Sequence, residues 1–181
     1  MTPKPKSPVK APGKPNPADD GVTHINIYDQ SKHPLGQMLS YFYEAPFQHP
    51  HYGPFKSIEG FLRYLRSGGE DDAFRTIPAV RAKAHAESAK KRGEYEDHQV
   101  RDLDKILFAA NYAKIDQNPE IKKALIESTL PFENYFLWNT SGVVIRPKGA
   151  KFIIRDFPIL RQMFIDGEKP EPIDYTKITF D

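Results

Sequence analysis

Glu59 is the side chain in this sequence with the clearest chemical prospect. It follows Ser57, which stands where a helix N-cap would. Behind it Ile58, Phe61, Leu62 and Leu65 recur at i, i+3, i+4 and i+7, the spacing of a helix with one buried face. A carboxylate in the first turn is stabilised by the positive end of the helix dipole, with or without any further task. If it faces a pocket, the same carboxylate can orient a water or stabilise a cationic transition state. Which of the two applies depends on what lies opposite Glu59.

The other chemically suggestive residues are a histidine pair and an aromatic cluster. His49-Pro50-His51 has the H-x-H form that zinc sites use, but no H-E-x-x-H or H-x-x-H spacing supplies a third ligand, so a solvated loop is expected. Tyr41, Phe42, Tyr43, Phe47, Tyr52 and Phe55 crowd one short stretch. Most of these rings are expected in the core, with one or two free to stack on a planar base. The chain has no cysteine, which excludes disulfides, thiolate metal sites and a cysteine nucleophile. It carries neither G-x-x-x-x-G-K-[ST] nor G-x-S-x-G. No metal and no cofactor is expected.

The elements that must position these groups can be read along the chain. Residues 1–22 carry six prolines from Pro3 to Pro17 together with Lys4, Lys6, Lys10 and Lys14, and read as a disordered Pro/Lys-rich arm. The folded part, 23–167, opens with an alternating run from His24 to Tyr28. Ser31 is positioned to cap a short turn bearing Leu35 and Leu39, and Ala45 to Pro54 reads as a loop. The Glu59 helix ends at Gly68-Gly69. Further helices are predicted from Pro78 to Gly93, from about Asp97 to Ile115, and after Asn118-Pro119-Glu120. Tyr135–Leu137, Val143–Ile145 and Phe152–Ile154 suggest a small antiparallel sheet, followed by a last helix over Pro158–Ile165. Residues 168–181 hold Ile173, Tyr175, Ile178 and Phe180, and are expected to pack on the domain or on a partner. The fold class is therefore α+β: a mainly helical single domain with a small antiparallel sheet.

With 181 residues and a net charge of +2, the chain is long enough for one real core and gives little reason to propose a nucleic-acid groove. No apolar run is long enough to span a bilayer, and the N-terminus lacks the apolar region of a secretory signal.

The order of motifs adds a family resemblance. Leu39-Ser40-Tyr41-Phe42, Pro46-Phe47, Phe55-Lys56-Ser57-Ile58-Glu59-Gly60-Phe61, Ala82-Lys83 and Asn111 through Glu120 follow one another in a pattern that resembles the NADAR/YbiA-like superfamily. The pattern looks closest to the short versions from T-even-type tailed phages, and the likeness covers about residues 25 to 145. The resemblance implies a YbiA-like fold and an N-glycosidase acting on ADP-ribosyl or ribosyl-phosphate-linked bases. In that reading Glu59 is the catalytic carboxylate, while Tyr41, Phe42, Tyr52 and Lys114 contact the substrate. Tyr41 stands where the family has asparagine. Tyr135 lies three residues before Trp138, where a second acid would stand, so the second carboxylate has no counterpart in the motif. The alternative is a catalytically inactive domain used as a virion or host-interaction protein, assembling through the basic arm and the C-terminal segment. Either implies host cytoplasm or virion, without membrane attachment.

Overall fold

The protein is described by a computed structural model over residues 15–138 and 142–181. These residues form a mainly helical α+β fold. Its helices are α1 (Pro34–Leu39), α2 (Ile58–Arg66), α3 (Ala79–Lys91), α4 (Leu103–Asp116), α5 (Pro119–Glu127) and α6 (Ala150–Asp166). Its strands are β1 (Ile25–Asn26), β2 (Phe47–His49), β3 (Gly53–Phe55), β4 (Phe132–Glu133), β5 (Phe136–Trp138) and β6 (Val143–Ile145). β2 pairs with β3 and β5 with β6, both antiparallel, whereas β1 pairs in parallel with β4 across the intervening helices.

Two apolar clusters make the core. In one, Ile25, Leu39, Leu125, Phe157 and Leu160 join β1, α1, α5 and α6. In the other, Phe55, Ile58, Phe61, Ala82 and Ala110 join the β2–β3 hairpin to α2, α3 and α4. Helix α4 belongs to both, with Ile115 in the first and Ile106 in the second.

Local chemistry accounts for α2. The Ser57 hydroxyl accepts from the Gly60 amide at 3.1 Å, and Gly68 and Gly69, at φ 73° and 77°, stop the helix in the left-handed region. Gly60 has a packing reason as well: a Cβ there would lie 2.4 Å from the carbonyl oxygen of Phe74.

Several elements depart from the sequence expectation, the larger ones for a tertiary reason. Phe152–Ile154 lies in the first two turns of α6, not in a strand, and Pro158 lies inside that helix. Ile153, Phe157, Leu160 and Phe164 form one continuous helical stripe against the core, which outweighs the hydrogen bond lost at the proline. Helix α4 starts at Leu103 because the residues before it pair with the chain's end. Gln99 and Asp181 exchange backbone hydrogen bonds at 2.6 and 3.0 Å, and Val100 bridges Phe180. Asp102 then turns through the left-handed region at φ 56°. The expected loop over Ala45–Pro54 contains the β2–β3 hairpin. Helix α1 is capped by the His33 ring rather than by Ser31. The Asn118 side chain donates to the carbonyls of Pro46 and Lys114 instead of capping α5.

The folded region also begins before residue 23. Pro17–Asp19 form a 3-10 turn, and buried Asp20 accepts from the Asn26 amide, the Ser31 hydroxyl and the Lys32 amide. Lys4, Lys6, Lys10 and Lys14 lie outside the described residues. At the other end, Ile173, Tyr175, Ile178 and Phe180 pack against the second core cluster of the same chain. Among the described residues, no helix is long and apolar enough to cross a membrane.

Candidate functional site

Glu59 lies where the two clusters meet. The first turn of α2 is tied to the stretch after α1 by a hydrogen bond from the Glu59 amide to the Tyr41 carbonyl at 2.9 Å. Glu59 is 4% exposed, and its Oε1 accepts from Arg63 Nε at 2.8 Å, one helical turn on. The carboxylate borders a cavity of about 270 Å³. Ser40, Tyr41 and Phe42 line one side of it; Asn134, Tyr135 and Phe136 come from the β4–β5 segment; Ile153 comes from α6.

Tyr41 also walls a second cavity, of about 550 Å³, which continues past Ile153 to Leu62, Arg66, Phe152 and Asp156. Burial pushes the Tyr41 hydroxyl up to about 12; Asn111 beside it acts in the opposite sense, and the carboxylates of Asp156 and Glu59 add to the rise. Tyr41 is therefore a neutral hydroxyl lying between two acidic groups. Asp156 is itself buried, and burial raises its carboxyl above the usual range. Arg155, whose Nε lies 2.6 Å from Asp156 Oδ1, opposes that rise, and Asp104 contributes to it.

Lys114 is fully buried, and its Nζ donates to the Ser40 carbonyl at 2.9 Å. Burial alone lowers this amine to about 7. It does not border the Glu59 cavity. It supports that cavity from behind, holding the Ser40 carbonyl from below while the Glu59 amide holds that of Tyr41.

Of the residues expected to bind substrate, Tyr41 and Phe42 are brought together with Glu59, whereas Tyr52 is not. Tyr52 packs instead on His49, Phe61 and Tyr175, near the C-terminal segment. Hairpin register sends it there: Gly53 pairs with His49, so Tyr52 belongs to the turn on the far side of Phe61. The His49-Pro50-His51 pair is not available as a ligand pair. His49 Nδ1 accepts from the amides of His51 and Tyr52, and its Nε2 meets the Tyr175 hydroxyl at 3.2 Å. His51 stacks on Tyr175, with ring centroids 4.5 Å apart.

Two polar residues at the site were not singled out by the sequence. Asp156 lies within a stretch whose apolar neighbours read as a strand and the start of a helix, with no motif around it. Asn134 carries no local signal either. Its Nδ2 donates to the Ile27 carbonyl at 2.6 Å, and its buried Oδ1 has no partner among the described residues. No family model, curated protein or solved structure matches this chain.

Proposed function

We propose that this protein is a NADAR/YbiA-like N-glycosidase that cleaves ADP-ribosyl or ribosyl-phosphate-linked bases. The observation that carries the reading is a buried carboxylate, Glu59, opening on a small cavity walled by Tyr41, Phe42 and Phe136. Cleavage of an N-glycoside passes through an oxocarbenium-like state, which a carboxylate stabilises while it activates water. Asp156, beyond Tyr41, supplies the second carboxyl that the motif lacks. In this scheme the C1′–N bond breaks with its electron pair going to the base nitrogen, which takes the Asp156 proton. The water oxygen bonds to C1′ and gives its proton to Glu59, and solvent exchange returns both groups to their starting states.

Hydrolysis of ADP-ribosyl-guanosine by the wild type and by Glu59→Gln tests this reading. We expect the variant to lose about 10²- to 10³-fold in rate. Equal rates for the two proteins would end the proposal.

One observation favours the alternative of an inactive domain used for virion or host assembly. Arg63 already pairs with Glu59, as in an ordinary i, i+4 helix bridge. That alternative predicts binding of the full chain to an assembly partner through the basic arm. A monodisperse monomer with a freely cleaved arm, found outside any particle, would count against it.

A further inference from the structure

Arg66 is a cation without an anion. It ends helix α2, is partly buried and lines the cavity of about 550 Å³ behind Tyr41. Arg63, on the same helix, pairs with Glu59, whereas Arg66 makes no ion pair and no side-chain hydrogen bond among the described residues. Leu62, one turn before Arg66, lines the same cavity. Helical side chains lean towards the N-terminus of their helix, so the Arg66 stem runs back over Leu62 and carries the guanidinium along that wall.

The acids around this cavity already have their cations. Asp102 meets Lys105 at 3.0 Å, and Asp104 and Asp156 both meet Arg155, at 3.9 and 2.6 Å. On α6, Phe152 lines the cavity, and Lys151 Nζ stands 4.8 Å from its ring centre with no acid partner among the described residues. The charge left without a close partner here is therefore positive. A guanidinium presents paired N–H groups that match two oxygens of a phosphate. Lys114, the cation that the resemblance implied as a substrate contact, is fully buried against the Ser40 carbonyl and cannot supply such a contact. At about 550 Å³ the space is large enough for a sugar phosphate, and Tyr41 and Ile153 border both it and the Glu59 cavity.

We propose that Arg66 is the phosphate-binding residue of this site, holding the phosphate of a ribosyl phosphate in the larger cavity while the anomeric carbon lies towards Glu59. The proposal rests on the glycosidase reading and deepens it by placing the anionic part of the substrate. The scheme above keeps a proton on Asp156, so the incoming anion meets a neutral group there.

The test is equilibrium binding of ribose 5-phosphate, ribose and inorganic phosphate to the full chain, as wild type and as Arg66→Gln, with hydrolysis of ADP-ribosyl-guanosine followed in parallel. We expect the wild type to bind ribose 5-phosphate at least about 10-fold more tightly than ribose or inorganic phosphate, and Arg66→Gln to lose that preference. Equal affinity for ribose and ribose 5-phosphate on the wild type would overturn the proposal, as would no binding of ribose 5-phosphate, and neither result depends on how the variant folds. Inorganic phosphate bound as tightly as the sugar phosphate would reduce the site to a simple anion site and overturn it too, as would a preference that Arg66→Gln retains. A phosphate preference carried by Arg66 without any hydrolysis would overturn the glycosidase reading and leave the assignment of Arg66 standing. Hydrolysis that Arg66→Gln leaves unchanged would do the reverse.

Discussion

Two buried ionisable residues near Glu59 differ in what they can do. Lys114 pairs with no acid among the described residues; it holds the Ser40 carbonyl, and burial brings its amine from 10.5 to about 7. The unfolded chain then binds that proton more readily than the folded chain does between those two values. Stability from this residue should therefore rise with pH across the interval, by at most about 1.4 kcal/mol per unit. Urea titrations between pH 7 and 9 should show the rise in the wild type and its loss in Lys114→Met. Asp156 shifts in the other direction. Burial keeps its carboxyl protonated to higher pH than usual, which suits a proton donor. The charged and polar groups around it are Arg155 on its own helix, Asp102 and Asp104 at the start of α4, Arg66 on α2, and Tyr41. As pH rises through the Asp156 pKa, the donor is lost and the rate should fall. Asp156→Asn is expected to slow base release about 10²-fold or more and to remove that alkaline limb from the kcat/KM profile. An unchanged profile would relegate Asp156 to a structural ion pair with Arg155.

At the scale of elements, the site depends on how closely α2 approaches its neighbours. Gly60 directly follows Glu59 and lets the helix pass against the Phe74 carbonyl, leaving no room for a methyl group. In an isolated helix, Gly→Ala is worth about 1 kcal/mol in favour of alanine. Here the clash with backbone should reverse the sign, and Gly60→Ala should destabilise by about 1–3 kcal/mol in denaturant titration. A more stable alanine variant would mean that α2 can move away from Phe74, and that Glu59 is held less firmly than described. The capping serine, the apolar face of α2 and its glycine stop were all legible in sequence, because each signal lies within a turn or two of its effect. The start of α4 and the helical state of Phe152–Ile154 were not. The first is set by pairing with Thr179–Asp181, at the other end of the chain. The second is set by a stripe that becomes visible only once α6 is seen whole, through a proline.

Over the whole molecule, the C-terminal segment closes the second core cluster. Tyr175 packs against His49, His51 and Tyr52 of the hairpin, and Phe180 bridges to Val100. His49 must be neutral for this, since its Nδ1 accepts from two amides. Burial first, and the nearby His51 second, lower it from 6.5 to about 4. The unfolded chain takes up this proton first, so the stability contributed by neutral His49 is full above pH 6.5 and declines as pH falls towards 4. The decline should reach about 2 kcal/mol or more. It should appear as a lower Tm and as faster protease cleavage after residue 167. His49→Asn, which keeps an acceptor for both amides, is expected to flatten the dependence. If acid leaves the C-terminal segment protected, His49 does not secure it.

Sequence by itself determined the fold class, the position of Glu59 at a helix start, most of the helices and the β5–β6 pair. These follow from periodicity, caps and breakers, which act over a few residues. Tertiary structure alone decided what faces Glu59. It moved Tyr52 away to the C-terminal segment, placed Lys114 beneath the site instead of in it, brought Asn134 to the Glu59 cavity and set Asp156 in the neighbouring cavity behind Tyr41. The contacts responsible join residues far apart in the chain, such as Lys114 to Ser40 across 74 positions and Asn134 to Ile27 across 107. No local pattern records such pairings, because they arise from how the two core clusters close on one another. Glu59 was visible in the sequence as a carboxylate at a helix start, and the meeting of those clusters gave it a cavity to face.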